Sequence, residues 1–178
     1  MPLNLIHDLK NRALQLLARE LPGATSFRLL LHRWRGVTVG KNVCIGYDTI
    51  IETAHPELVT IKDGATVGIR CTILAHFWDF RSEVVIEEDA FVGPGAIILP
   101  NVIVGRGAVV SAGSVVINSV PPGVMVQGNP AKPVARVGVP PKDGVAYKDF
   151  ICSLRPLHSQ RNSLDLSDHP ADVALSRG

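Results

Sequence analysis

The sequence predicts a mainly β fold, a parallel β-helix of about four triangular coils, with a short helical segment before it and an irregular tail after it. Three observations carry this prediction. Val or Ile recurs every six residues between positions 39 and 116, a small residue follows four positions later, and the two breaks in the repeat fall at equivalent places. A six-residue period fits neither a helix nor a simple meander, and it is typical of solenoids built from short strands and tight corners.

The repeat has twelve units, and every unit begins with Val or Ile. We expect these side chains to point inward and to stack on their counterparts one coil away. Gly follows five of the starts, and we assign it to the turn, where φ can be positive. The starts are Val39, Ile45, Ile51, Ile61, Val67, Ile73, Ile86, Val92, Ile98, Val104, Val110 and Val116, and the glycines are Gly40, Gly46, Gly68, Gly93 and Gly105.

Two insertions interrupt the repeat, one after Ile51 and one after Ile73. Both follow the third side of a coil, so they should leave the solenoid at one corner, one above the other. Insertions that cluster at one edge of a repeat protein usually build a binding face. We therefore expect residues 55–58 and 77–85 to be neighbours.

The flanking segments lack the repeat. Residues 1–36 form an N-terminal helical segment, with an amphipathic helix at 3–19 and a second short helix at 25–34. The solenoid domain covers 37–137, and its coils should end at Val120, because the prolines that follow cannot continue a strand ladder. The extension 138–178 should hold a short helix at 143–155 and a loose tail after Arg155.

Composition narrows the function classes. The chain has 178 residues, 46% hydrophobic and 19% charged, and a formal net charge of +2, which gives no argument for nucleic-acid binding. The basic residues at 28–35 are interpreted as a solvated face. Three cysteines without a CxxC spacing argue against a disulfide framework or a structural zinc. No stretch is typical of a signal peptide or a membrane span, so we expect a cytoplasmic protein. The N-terminal helices are expected to pack against the solenoid or a neighbouring subunit, and peripheral contact with a membrane surface is the alternative.

The repeat, together with the run from IEEDAFVGPG to VQGNPAKPV, resembles the hexapeptide-repeat acyltransferases over roughly residues 37–137, and is closest to the small sugar and polysaccharide O-acetyltransferases. This resemblance implies left-handed coils, against the usual right-handed rule for parallel crossovers. It also implies acetyl transfer from acetyl-CoA to a hydroxyl, no metal, and a homotrimer with active sites shared between neighbouring subunits.

The resemblance implies site residues as well. His76, at the root of the longer insertion, is the general base, since a neutral imidazole can take a proton from a hydroxyl. CoA would contact Gly93, Gly95, Ala112 and Gly113, with Lys132 and Arg136 at its phosphates. Because Pro94 has no N–H, an oxyanion would need Gly93 or Gly95.

The acceptor side is less defined. Glu52, His55, Trp78 and Asp79 are candidates for substrate binding. Trp78 and Phe80 could wall the acceptor pocket or seal a subunit interface, and the interface is the favoured interpretation. Asp79 or Glu83 would orient His76. The remaining histidines, His7, His32, His158 and His169, are interpreted as structural or exposed.

Several alternatives remain. N-acetylation of an amino sugar or a nucleotide-sugar amine is one, and a non-catalytic scaffold of the same repeat is another. Enzymes of this family that take the acyl group from an acyl carrier protein tend to have more coils than this chain. Serine acetyltransferases carry a longer helical N-terminal domain than residues 1–36 can supply. A zinc carbonic anhydrase would need three histidines, and the repeat region holds only His55 and His76.

Overall fold

The computed structural model describes residues 5–142 and 144–157, with side chains from Leu9 onward. The predictions for His7, His158, His169 and the tail from 158 lie outside those described side chains and residues. Within the described part of the chain, no helix has the length and apolar character needed to cross a membrane.

Four coils of three short strands form the body of the molecule, and this confirms the predicted β-solenoid. Each strand ends on a Val or Ile that begins a repeat unit. The coils are β1 (Thr38–Val39), β2 (Cys44–Ile45) and β3 (Ile50–Ile51); β4 (Val59–Ile61), β5 (Thr66–Val67) and β6 (Thr72–Ile73); β9 (Val84–Ile86), β10 (Phe91–Val92) and β11 (Ile97–Ile98); and β12 (Ile103–Val104), β13 (Val109–Val110) and β14 (Val115–Val116). The insertions are a 3-10 helix, Pro56–Leu58, and a hairpin of β7 (His76–Phe77) and β8 (Phe80–Arg81).

Equivalent strands stack into three parallel sheets. Sheet A has the order β1-β4-β9-β12, sheet B contains β2-β5-β10-β13, and sheet C has the order β3-β6-β11-β14. The register places one repeat start on the next, as at Ile51, Ile73 and Ile98. Eleven of the twelve starts are buried, and Val39 is half-buried. Each fully buried Val or Ile contributes about 1.5–3 kcal/mol, which makes this column the main source of stability.

The glycines after the repeat starts have a different role from the predicted one. Gly93 does not have a positive φ, so the turn-conformation explanation is wrong there. A Cβ at Gly93 would lie 2.6 Å from the main-chain nitrogen of Ala112 on the next coil. Positive φ occurs two residues later instead, at Gly95 for example. The glycine is needed because the backbones of successive coils approach closely at this corner.

The solenoid does not end at Val120. Val120 pairs with Val104 as a further bridge of sheet A, and β15 (Val124–Gly128) joins sheet B parallel to β13. The prolines at 121–122 lie in the corner before β15, where no ladder N–H is required. The chain then reverses into two antiparallel strands, β16 (Ala131–Arg136) and β17 (Arg155–Pro156).

Among the residues that the structure describes, three α-helices flank the coils: α1 (Leu5–Glu20), α2 (Phe27–Arg35) and α3 (Tyr147–Ser153). Helix α2 lies at the N-terminal end of the solenoid, where the carbonyls of the first coil have no further coil to donate to them. Three arginines of α2 serve them. Arg33 donates to the carbonyl oxygen of Val39, Arg28 to that of Ile45 and Arg35 to that of Ile51.

The interpretation of residues 28–35 as a solvated basic face is therefore wrong for most of the segment. Arg28, His32 and Arg35 are 5%, 0% and 3% exposed. They lie at helical spacing on the inner side of α2. The main-chain carbonyls at the ends of sheets B and C compensate the two buried guanidinium groups for lost water.

Candidate active site

The two insertions meet at one corner, between sheet C and sheet A, as predicted. His55 belongs to the first insertion and His76 to the second. Their ring centroids are 5.5 Å apart and the ring planes are nearly perpendicular, at 89°. Both rings keep part of their surface exposed, so this corner presents two imidazoles to solvent at the edge of the solenoid.

A buried carboxylate orients the second imidazole. Nδ1 of His76 lies 2.8 Å from Oε2 of Glu52, whose side chain is fully buried on the neighbouring coil. A carboxylate without its proton can only accept, so Nδ1 carries the hydrogen and Nε2 is left as the proton acceptor. This is the arrangement a histidine general base needs.

Glu52 is held in place by three main-chain donors. Its Oε1 accepts from the N–H groups of Ala54 and His55, and its Oε2 accepts from that of Ala75. Burial alone would raise the pKa of Glu52, but the hydrogen bonds, led by the one from His76, lower it below its usual value. The carboxylate is therefore ionised near neutral pH.

This geometry differs from the prediction in the identity of the orienting group. We expected Asp79 or Glu83 in the same insertion as His76 and placed Glu52 among the acceptor ligands. Within the described residues, the hydrogen-bond and ion-pair partner of the His76 ring is Glu52, not Asp79 or Glu83. The carboxyl oxygens of Glu52 are occupied by His76 and the main chain, which leaves little capacity for a sugar hydroxyl.

Trp78 and Asp79 form the two-residue tip of the β7–β8 hairpin. Trp78 has a φ of +50° and is 97% exposed, both unusual for a large aromatic residue. Phe77 and Phe80, on either side of the tip, are about half exposed. The structure thus brings Glu52, His55 and His76 together and holds Trp78 and Asp79 at the tip of the hairpin that begins with His76.

A concave surface lies away from this corner, on the outer face of sheet B. It is a groove of about 1210 Å³, and its floor follows the outward residues of successive strands. Tyr147 and Phe150 of α3 line it from the C-terminal side, and the ion pair between Lys142 and Asp89, at 3.1 Å, lies at its edge. The outward residues of the floor are Cys44, Thr66, Phe91, Val109 and Met125.

The predicted cofactor residues divide among several places. Gly93 and Ala112 line this groove, while Gly95 and Gly113 stand in the adjoining turns with positive φ. Lys132 is exposed on β16, and Arg136, on the same strand, lines a smaller cavity of about 450 Å³. The groove therefore holds two of the predicted residues directly.

The expected oxyanion donors are already engaged. The N–H of Gly93 donates to Val110 and that of Gly95 to Ile69, so neither is available to a developing oxyanion. Ala112 is exposed at the same corner, and its N–H has no hydrogen-bond partner among the described residues. In the part of the chain that the structure covers, no three His, Cys, Asp or Glu side chains are grouped to hold a metal.

Comparison with known proteins agrees with this architecture. The family described as bacterial transferase hexapeptide (six repeats) matches residues 83–118. The Bacillus subtilis (strain 168) protein named "Putative acetyltransferase YvoF" is 32% identical over 127 residues, which covers 69% of this chain and 74% of that protein.

Two solved structures share the fold. The polySia specific acetyltransferase NeuO superposes with a TM-score of 0.55 at 25% identity, covering 62% of this chain and 56% of that one. A mutant of AntD, an N-acyltransferase from Bacillus cereus in complex with dTDP and coenzyme A, gives a TM-score of 0.51 at 23% identity and covers 55% of this chain and 62% of that one. The chain thus spans little more than half the length of either structure.

Proposed function

The chain belongs to the hexapeptide-repeat transferase family, and its relatives include acetyltransferases. We propose that it moves an acetyl group from acetyl-CoA to a hydroxyl of a sugar or polysaccharide precursor. One observation carries this proposal. The buried Glu52 carboxylate lies 2.8 Å from Nδ1 of His76 and accepts its hydrogen, which leaves Nε2 without a proton and able to act as a base.

The reaction needs no covalent intermediate on the protein. Nε2 of His76 takes the proton of the acceptor hydroxyl while its oxygen attacks the thioester carbonyl carbon. The carbon–sulfur bond then breaks, the ester forms, and the imidazolium returns the proton to the departing CoA thiolate. Glu52 stabilises the imidazolium between these steps, because its negative charge lies against the protonated ring.

We place the CoA arm in the groove on sheet B. Gly93 and Ala112 line it, and the free N–H of Ala112 is suited to a carbonyl oxygen of the ligand. The groove volume exceeds that of most small-molecule pockets, as a long and flexible co-substrate requires. Lys132 and Arg136 supply positive charge for the phosphates. The coenzyme A bound by the structurally similar AntD supports this choice of co-substrate.

The same placement supports a homotrimer with shared sites. His76 leaves the solenoid at the corner between sheets C and A, whereas Gly93 and Ala112 turn at the corner between sheets B and C. One chain therefore carries the base and the groove corner on different edges of its prism. A neighbouring copy can bring the two edges together, and closed cyclic assembly would repeat this at each contact.

We place the protein in the cytoplasm, where acetyl-CoA is available. Helix α2 exposes Phe27, Leu30 and Trp34 at 46%, 37% and 55%, spaced along one side of the helix. Together with the exposed Arg33 next to Trp34, this stripe supports peripheral contact with a membrane surface.

The test is CoA release from acetyl-CoA, followed with a thiol reagent over a panel of sugars and amino sugars. We expect wild type to turn over with a hydroxyl acceptor and His76→Ala to lose about 100-fold or more in kcat. Glu52→Gln should lose about 10-fold or more, because the amide cannot stabilise the imidazolium. His55→Ala, a histidine at the same corner, is the matched comparison, and its main effect should be on KM for the acceptor.

Other outcomes decide between the alternatives. Turnover confined to amines would replace O-acetylation with N-acetylation. Equal activity of wild type and His76→Ala would remove the base assignment. If wild type is silent with every acceptor, calorimetry with CoA separates the cases, since a scaffold would not bind it.

A further inference from the structure

Arg35, on helix α2, belongs neither to the corner that carries His55 and His76 nor to the groove on sheet B. Arg35 is 3% exposed, and its guanidinium lies against the main chain of Glu52. It donates to the main-chain carbonyl oxygens of Ile51, at 2.8 Å, and of Glu52 itself. Arg35 therefore holds the backbone of the residue whose carboxylate orients His76.

The remaining contacts of Arg35 keep it in one orientation. Its Nη1 donates to Oε1 of Gln15 on α1 and lies 3.2 Å from Nδ1 of His32. An arginine can only donate, so Nδ1 of His32 is the acceptor and that ring stays neutral. Burial and the charges of Arg35 and Arg28 lower the pKa of His32 to about 3, consistent with a neutral ring.

Charge links Arg35 to Glu52 as well. Burial lowers the pKa of Arg35 to about 10, and the negative charge of Glu52 opposes that effect. Arg35 remains protonated near neutral pH. The fully buried Glu52 carboxylate, which has lost its water, thus has a fixed positive charge on its backbone side and His76 on the other.

We propose that Arg35 is a positioning residue for the reaction: it fixes Glu52 so that the neutral His76 ring keeps its hydrogen on Nδ1 and offers Nε2 to the acceptor. This rests on the proposed function of His76 as the base. Other groups that face the pair are His55, edge-on to the His76 ring, and Glu57, whose Oε1 lies 3.2 Å from Nδ1 of His55.

The chain offers a matched control. Arg28 is also buried on α2 and also donates to the carbonyl of a repeat start, Ile45, but that carbonyl ends sheet B rather than sheet C. Arg28→Met and Arg35→Met therefore each remove a buried guanidinium that binds first-coil carbonyls, at opposite ends of the same helix. A purely structural role predicts the same consequences for both.

The experiment compares the full-length variants Arg35→Met, Arg35→Lys and Arg28→Met with wild type. The first readout is the ¹⁵N shift of the His76 ring, which reports the tautomer without any catalysis. We expect the Nδ1–H form in wild type and Arg28→Met, and a mixture of tautomers in Arg35→Met. The second readout is turnover, where Arg35→Met should lose about 10-fold or more in kcat at unchanged KM for acetyl-CoA, and Arg28→Met less than about 3-fold.

A folded Arg35→Met that keeps the wild-type tautomer would overturn the proposal, and so would equal kcat losses in the two methionine variants. If Arg35→Met does not fold, Arg35→Lys decides, because the three N–H donors of one ammonium cannot serve all four acceptors of the guanidinium, the Ile51 and Glu52 carbonyls, Gln15 and His32. A partial kcat loss with a mixed tautomer supports the proposal, and wild-type values contradict it. Absence of turnover in wild type would count against the proposed function, while the tautomer comparison would still test Arg35.

Discussion

At the scale of single residues, the buried polar groups carry the most information. Glu52 and His32 each lie in a protein interior where the wrong protonation state would be costly. Glu52 is kept charged by four donors, whereas His32 is kept neutral by burial and by two nearby arginines. Burial disfavours the charged form at both residues, and hydrogen-bond donors overcome that effect at Glu52 whereas nearby positive charge adds to it at His32.

His32 should make the protein less stable in mild acid. Its pKa lies near 3 in the folded state and near 6.5 when unfolded, so the unfolded chain binds the additional proton between these values. The contribution of His32 to the free energy of unfolding is present above pH 6.5 and is lost as the pH falls toward 3. Between pH 7 and pH 5 the loss is about 2 kcal/mol. Denaturant unfolding at several pH values measures the free energy of unfolding as a function of pH. This dependence on pH should be weaker in His32→Gln, whose side chain can still accept a hydrogen bond from Arg35. An unchanged dependence on pH would contradict this role.

At the scale of strands and corners, the close stacking of coils sets what each position tolerates. The inward Val and Ile column demands bulk, while the residue after it demands the absence of a side chain wherever the next backbone is close. Gly93 and Gly113 represent two different reasons for glycine. Gly93 faces backbone at 2.6 Å, and Gly113 has a φ of +68° with nothing within 4 Å of its Cβ position.

Alanine substitution should separate these two reasons. Gly113→Ala incurs only the left-handed backbone penalty, about 1–2 kcal/mol. Gly93→Ala must push apart two coils that are hydrogen-bonded to each other. Overpacking typically lowers the free energy of unfolding by roughly 1–3 kcal/mol, and we expect Gly93→Ala to lose at least about 3 kcal/mol. Denaturation midpoints of the two variants test this order. A Gly93→Ala protein as stable as Gly113→Ala would show that the coils can separate locally at little cost.

The sequence was sufficient for the solenoid and for the meeting of the two insertions, because a six-residue period determines which positions stack. It was not sufficient for the Glu52–His76 pair. Those residues are 24 positions apart, and an irregular insertion between them hides their vertical alignment. The prediction was wrong for the arginines of α2, because charged residues in a sequence usually indicate solvent exposure. The unpaired carbonyls that accept hydrogen bonds from these arginines exist only once the first coil has formed.

At the scale of the whole molecule, His76 and the groove residues lie at different corners of the prism, so the proposed reaction requires a second copy of the chain. We predict that two inactive variants restore each other. Subunits with His76→Ala keep the groove, and subunits with Ala112→Arg keep the base. Refolded together in equal amounts, they should recover about one quarter of wild-type turnover, because each shared site needs one chain of each kind in the correct order.

Each variant refolded alone is the control for that experiment, and light scattering establishes that mixed assemblies form. Mixed assemblies without recovered turnover would mean that base and groove act within one chain. The subunit-sharing part of the proposal would then be wrong, while the assignment of His76 would stand.

The treatment of the two ends of the coil stack has a consequence beyond this site. A ladder of parallel strands has no intrinsic stopping point, and an exposed terminal rung can recruit any extended segment, as in the growth of an amyloid fibril. Here the first rung is occupied by guanidinium groups. On sheet B, the last is followed by antiparallel strands that include Pro133, which cannot donate. These features cap both ends of the ladder, and variants that lack them are expected to be more prone to fibrous aggregation.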